Sequence, residues 1–371
     1  MLNKLKDKTN IFVFILIIFS FSAAFYIGKD KMISEDERRY LATLETLEPQ
    51  EILKGSFASL LETYSLDQFP ARQMFRELKS FANYNVFQKI ENQEIIVKDD
   101  YAVKVYDNEY KYNTIKPTIE KINKLYKSKF LKNKAVFVLV PDKTCYLNDF
   151  TSYSCDYNKI ETKITSNLLN RIQFLSIYDK LDTEDYYYTD THWSQDKIID
   201  VSAEILGQFN IKANYSEKDF TVNEISDFRG ILASQAALNK ADTIRYLSND
   251  IIDNLIVYDY EKDEYSGVYA LNKLSDEKSM DNYDIFLSGA TGLLRIDNNS
   301  VNNNKTLIIF RDSFGSSITP LLAQEYKTTY VVDLRYISAN AFEKYIEITG
   351  KEDVLFLYSA MLINIPENFK I

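Results

Sequence analysis

The sequence predicts an α/β protein, with a parallel sheet covered by helices on both faces and one membrane-length apolar helix ahead of it. Three observations predict this. Short, mostly apolar runs recur at 135–140, 306–310, 329–332 and 354–358, as strands do when both of their faces are buried. Amphipathic stretches at 117–130, 158–172, 193–209, 314–324 and 339–348 alternate with them, and such alternation builds parallel crossover units. An uncharged run at 11–27 follows Lys4, Lys6 and Lys8.

Residues 1–10 carry those lysines against a single acid, Asp7. The run 11–27, as a helix, is roughly 26 Å long at 1.5 Å per residue, close to a hydrocarbon core of about 30 Å. Lysines before it and an acidic chain after it place the N-terminus inside and the body outside. Two fates fit. In the first, 1–10 is a cytoplasmic tail and 11–27 an uncleaved signal anchor, a single pass through the cell membrane. In the second, Ser22, Ala23 and Ala24 form the small-residue site of a cleaved signal peptide. Both export the body. Residues 28–48 are polar and charged and read as a tether, and 49–371 as the folded domain.

Within that domain, 49–87 has apolar residues at helical spacing, Ile52, Phe57, Leu60, Leu61 and Tyr64 among them. Pro70 suits the start of a second helix. Residues 94–97 and 101–105 flank Lys98-Asp99-Asp100 as in a hairpin, and 174–178 adds a strand. The stretch 215–300 has shorter β-like segments and many Asn and Asp turn signals, which read as a small β-containing insertion or cap.

Composition narrows the functions. With 371 residues, 46% of them hydrophobic, the chain can bury a large core. A net charge of -10, with no basic block after the first ten residues, argues against a nucleic-acid partner. One His and two Cys cannot supply the usual four ligands of a structural zinc, and neither a metal nor a cofactor is expected. Cys145 and Cys155 either form a short disulfide, which an exported protein allows, or remain two partly buried thiols.

The chemistry concentrates in two segments. His192 is the only histidine, so activation of a serine through imidazole has no other base. It lies in Thr189-Asp190-Thr191-His192-Trp193. In an extended segment residues two apart point the same way, so Asp190 can orient the imidazole, as the acid of a triad does. Helix capping by Thr189 or Asp190 is the plainer reading. Ser313 follows an apolar strand in Arg311-Asp312-Ser313-Phe314-Gly315 and precedes a helix whose first turn is small. That is the sheet edge where ligands gather, beside N–H groups able to stabilise an oxyanion. An ordinary N-cap serine is the alternative. The G-x-S-x-G elbow is absent.

Together the segments resemble the SGNH hydrolase superfamily. Asp190 and His192 precede Ser313, a permuted order seen in its alginate O-acetyltransferase branch. Thr189-Asp190-Thr191-His192-Trp193 is similar to that branch's T-D-T-H-W signature, and Asp333-Leu334-Arg335-Tyr336 to its D-x-R-Y element. The front of the chain resembles the bacterial DHHW family. Glu37-Arg38-Arg39-Tyr40-Leu41 is similar to E-N-R-x-L, with Arg38 in place of Asn, and Asp67-Gln68-Phe69-Pro70-Ala71-Arg72 to D-x-F-P-x-R. Thr191 stands where the DHHW name implies a first histidine.

The resemblance implies a three-layer α/β/α SGNH-like domain outside the membrane. In it, Ser313 takes an acetyl group and passes it to a sugar hydroxyl of a cell-wall or exported polysaccharide. His192 moves the proton, Asp190 orients His192, and the Ser313 N–H lines an oxyanion hole. The acetyl donor is then supplied by a membrane-bound O-acyltransferase. Gly230, in Asp227-Phe228-Arg229-Gly230, is a candidate second oxyanion donor or a plain turn. Lys143 is expected at the active edge or in a salt-bridged surface turn. Arg335, Tyr188 and Trp193 are candidate substrate contacts, although aromatic residues at a strand end also pack. Arg72 is expected to organise the N-terminal helices. A carbohydrate acetylesterase and an inactive polysaccharide-binding or scaffold protein share the same fold.

Overall fold

A computed structural model describes residues 2–34, 36–44, 57–105, 110–146, 155–275 and 280–371, with the backbone alone for 2–7. The chain divides into two compact units, Met1–Asn92 with Ser234–Asn239, and Gln93–Ala233 with Lys240–Ile371.

In the first unit the helix Leu2–Ile27 is followed by the strand pair β1 (Ile33–Ser34) and β2 (Arg39–Tyr40), the helices Phe57–Asp67 and Arg72–Phe81, a π-helical turn at Ala82–Val86 and a short strand β3 (Glu91–Asn92). The segment expected as a tether is folded over its described part. Arg39 grips Asp67 through both terminal nitrogens, at 3.0 and 2.5 Å, and Arg72 grips Glu37 at 2.8 and 3.0 Å. Such forked pairs fix geometry as well as charge. The charges that made the stretch look solvated are the ones that fasten it. Arg72 thus ties the N-terminal elements together, as expected of it. Burial works to raise the Glu37 carboxyl, but the Arg72, Arg76 and Arg39 guanidiniums outweigh it and hold it low. Pro70 does not open the second helix. Ala71 is left-handed, with φ 57°, and the helix starts at Arg72. Ile52 and the beginning of the expected helical stretch lie outside the described residues.

The second unit is built on an eight-stranded sheet. Its strands are β6 (Lys134–Val140), β7 (Ile172–Ser176), β10 (Ile256–Asp259), β11 (Glu264–Ser266), β12 (Leu293–Asp297), β13 (Thr306–Arg311), β14 (Thr328–Val332) and β15 (Asp353–Ser359). Their order is β11-β10-β12-β14-β13-β15-β6-β7. The run from β14 to β7 is parallel, and β12, β10 and β11 are antiparallel. Period-two alternation sends Val136, Val138, Leu307, Ile309, Leu355 and Leu357 to one face, where the helices Ile199–Gln208 and Phe314–Ala323 cover them. Phe137, Leu139, Ile308, Phe310, Val354 and Phe356 face the other side, under the helices Tyr112–Lys129 and Tyr157–Thr165. These are the three layers read from the sequence.

The segment 215–300 is only partly an insertion. β8 (Thr221–Phe228) and β9 (Asp242–Ser248) form a separate two-stranded antiparallel sheet, whereas β10, β11 and β12 extend the main sheet. Their polar edge positions disguised them as cap strands. The hairpin expected near 94–105 is present as β4 (Ile95–Lys98) and β5 (Tyr101–Lys104). The helix expected at 339–348 is a single turn, Ala339–Phe342.

Candidate active site

Ser313 leaves the carboxyl end of β13, between β14 and β15, and stands directly before the helix Phe314–Ala323. Asp312 shapes that turn. Its Oδ1 accepts the Phe314 N–H at 3.1 Å and its Oδ2 the Ser359 N–H at 2.8 Å, joining the serine turn to the end of β15. Gly315 is required where the helix begins, since a Cβ there would lie 2.4 Å from Arg311 Cβ. The Ser313 N–H has no protein acceptor among the described residues, whereas the N–H groups of Phe314, Gly315 and Ser316 are all engaged.

The loop 186–193 closes on itself, with Tyr186 bridged to Trp193 and the Tyr187 N–H donating to the His192 carbonyl at 3.1 Å. It carries the imidazole to the serine. His192 Nε2 lies 2.7 Å from Ser313 Oγ, and Nδ1 lies 2.6 Å from Asp190 Oδ1. Both Asp190 oxygens also accept backbone amides, Oδ1 from His192 at 3.1 Å and Oδ2 from Ile231 at 2.8 Å. A carboxylate accepting on both oxygens leaves the ring proton on Nδ1, so Nε2 offers its lone pair to the serine hydroxyl.

Two side chains hold this loop, one accepting from its backbone and one donating to it. Asp242 accepts the N–H groups of Tyr188 at 2.9 Å and Thr189 at 2.7 Å. Lys143, buried, donates through Nζ to the carbonyls of Tyr187 at 2.7 Å and Asp190 at 2.8 Å. On the far side of the ring, Tyr283 stacks on His192 with centroids 3.9 Å apart and planes 8° off parallel. The Tyr283 hydroxyl and Trp193 Nε1 both donate to Ser317 Oγ at 2.9 Å. Ser317 lies one helical turn after Ser313, so a single helix positions the serine and the two aromatics that frame its histidine.

Several expectations change. Gly230 is not a free oxyanion donor, because its N–H donates to Thr189 Oγ1 at 2.9 Å. It supports Asp190 instead, since a Cβ would fall 2.2 Å from the Thr189 carbonyl oxygen and 2.5 Å from Asp190 Cβ. Gly230→Ala is therefore expected to displace the loop, lowering the melting temperature and turnover together. A variant with wild-type melting and rate would show that the loop yields without cost. Trp193 is wholly buried and no substrate contact, its apolar ring packing edge-on against Phe314. Arg335 chelates Asp333 at 2.9 and 2.7 Å, rather than any of the three central residues. Tyr188 is exposed, its ring 4.4 Å from Tyr101 and with Lys240 Nζ 4.4 Å away, and it stays open to a ligand. Cys145 and Cys155 are free, with sulfurs 3.3 Å apart, well beyond the roughly 2.05 Å of a disulfide. Among the described residues no cluster of three or more His, Cys, Asp or Glu is placed to hold a metal ion.

Lys143 is neither a surface residue nor a substrate contact. Burial pushes its amine down from 10.5 to about 7, against the pull of Asp190, Asp242 and Asp142. Between these values the unfolded chain binds one more proton than the folded one, so folding stability rises with pH across that window. The expected gain is on the order of a few kcal/mol. A neutral amine retains two N–H groups, enough for both short contacts. The stability advantage of wild type over Lys143→Met, read from denaturant melts, is expected to grow from pH 7 toward pH 10. A difference that stays flat would contradict it.

Sequence reasoning missed Tyr283, Ser317 and Asp242. Tyr283 lies in a stretch that matches no motif, and its position depends on tertiary packing alone. Ser317 was visible only as part of a small first turn.

No protein-family model and no curated protein matches this sequence. Solved structures do. A DHHW family protein from Eubacterium siraeum is 17% identical with a TM-score of 0.62, covering 75% of this chain and 95% of its own. PatB1 of Bacillus cereus is 19% identical with a TM-score of 0.57, covering 72% and 96%. A second PatB1 structure, with a sulfonyl adduct, gives 18% and 0.57 over 72% and 97%. At these identities the likeness is one of fold, and it runs to the same kind of protein as the sequence motifs: this chain has the mostly parallel α/β architecture of the DHHW protein and of PatB1.

Proposed function

We propose that the protein is a membrane-anchored, extracytoplasmic O-acetyltransferase that acetylates a cell-wall or exported polysaccharide. The observation that carries this reading is the continuous line Asp190–His192–Ser313, at 2.6 and 2.7 Å, at the carboxyl edge of a parallel sheet. His192 Nε2 takes the Ser313 proton as Oγ attacks the acetyl carbonyl. The tetrahedral oxyanion meets the Ser313 N–H, and as it collapses His192 gives its proton to the departing oxygen, so that the donor leaves as an alcohol and Nε2 is free again. The acceptor sugar hydroxyl then gives its proton to His192 as it attacks the acetyl-serine, and His192 passes that proton to Ser313 Oγ as the serine leaves. Exposed Tyr188 is suited to stacking on a sugar ring.

The anchor is the helical segment Lys8–Ile27, with mean hydropathy 2.3 and no fully buried residue. Lysines on its N-terminal side favour an outward-facing body. The acetyl donor is delivered by a membrane-bound O-acyltransferase. PatB1, which accepts a sulfonyl adduct, supplies the reagent class for probing the serine here.

The test gives the purified full-length protein a chromogenic acetyl ester, with and without oligosaccharide acceptors. Acetylated oligosaccharide, detected by mass, is the expected product. Ester cleavage with no transfer to any acceptor would make the protein an acetylesterase, and no ester cleavage at all would make it a binding or scaffold protein.

A further inference from the structure

The helix Arg72–Phe81 faces the wrong way for a water-soluble surface. Met74, Phe75, Leu78 and Phe81 recur at intervals of one, three and three residues, which places them on one side. That side points outward, with Met74 56%, Leu78 58% and Phe81 58% exposed. Val86, Phe87 and Ile90 continue the exposed apolar surface beyond the helix. The polar side is the one bound to protein. Arg76 Nη2 donates to the Ser234 carbonyl at 2.9 Å, Asn83 Nδ2 to Asn92 Oδ1 at 3.0 Å, and Ser80 is buried. Contiguous exposed apolar surface of this kind marks an interaction site.

A second observation says what covers it. Along the exposed apolar helix, Phe21 and Phe25 alone are partly buried between residues 11 and 27. Phe21 stacks on Phe69 with centroids 5.5 Å apart and meets Phe75 at 5.7 Å, while Phe25 meets Tyr64 at 5.7 Å. Phe21 lies six residues before the helix end at Ile27, or roughly 9 Å along the axis. If that end lies at the headgroups, Phe69 and Phe75 lie at the depth of Phe21. Interfacial helices are sunk about 5–10 Å. Lys79 and Lys89, both exposed, can extend their stems and keep their charges among the headgroups.

We infer that Met74, Phe75, Leu78 and Phe81, with Phe69, enter the acyl–headgroup boundary of the membrane that the first helix crosses, so that the first unit is held to the lipid surface along a second line of contact. This rests on the reading of Leu2–Ile27 as a membrane span.

The test uses the full chain, one molecule per nanodisc of phosphatidylcholine and phosphatidylglycerol, so that no second copy can cover the patch. Leu78→Trp, Phe81→Trp and Phe14→Trp are compared with the parent, whose single Trp193 is buried. Lipids brominated near the headgroup end of the chain quench indoles at that depth. Blue-shifted emission that brominated lipid quenches in Leu78→Trp or Phe81→Trp, beyond the parent's own loss, is the expected result. Quenching in Phe14→Trp with none in the other two would overturn the inference, leave the anchor intact and assign the patch to a protein partner. No quenching in any of the three would overturn both the inference and the anchor.

Discussion

Ser313→Ala is expected to lower acyl turnover by a factor on the order of 10⁶, the scale seen when the nucleophile of a serine–histidine pair is removed. The 2.7 Å contact between Ser313 Oγ and His192 Nε2 couples the two groups into one device, and the effects of coupled groups do not add. His192→Ala is therefore expected to match the serine variant, and the double variant to be no slower than either alone. Fold is not at stake, because the serine side chain caps nothing in its helix. Initial rates on an acetyl ester, with a melting curve for each variant, check this. Multiplying defects in the double variant would mean that the two residues act independently.

Asp190→Asn is expected to cost a factor on the order of 10⁴ in kcat, for a reason visible in the hydrogen bonds. Asp190 accepts from His192 N and Nδ1 on one oxygen and from Ile231 N on the other. An asparagine has one acceptor oxygen and one amide nitrogen. With its oxygen toward Ile231, the amide N–H₂ faces His192 Nδ1, which must then accept. The ring proton moves to Nε2, and the base is lost to Ser313. With its oxygen toward His192, two N–H donors confront each other at Ile231. The first outcome separates this substitution from a merely structural one. A nitrogen NMR signal for His192 is expected to show the exchanged tautomer, or the melting temperature to fall. A variant with unchanged rate would remove Asp190 from the chemistry.

The central residues were legible because chemistry and chain economy coincide. A chain with one imidazole offers a single candidate base, and a buried strand ending in Asp-Ser before a small-residue helical turn offers a candidate nucleophile. The parallel core was legible for a related reason, since β6, β13 and β15 are buried on both faces and so read as unbroken apolar runs. What surrounds them was less visible. β10 and β12 sit toward an edge and alternate in burial, so they read as cap strands. Gly230 reads as an oxyanion donor or as a plain turn, and its missing Cβ makes room for Thr189 and Asp190. Lys143 read equally well as a surface charge, and only the carbonyls it meets show its task. Tyr283 gave no signal, because a tyrosine stacked on histidine differs from any other tyrosine only by what the fold sets beside it. The segment 28–48 reads as a tether from its charge content, and in its described part Arg39 and Glu37 form forked ion pairs, which have the same residue content as solvated charges.

The account stands on Ser313 being a nucleophile that His192 activates for covalent acyl transfer, and trapping measures this most directly. The full-length protein is incubated with phenylmethylsulfonyl fluoride, and its peptides are mass-mapped over time. The account predicts one sulfonyl group, on the peptide containing Ser313, absent from Ser313→Ala and formed far more slowly in His192→Ala. A label on another residue, or an unchanged labelling rate in His192→Ala, would contradict it.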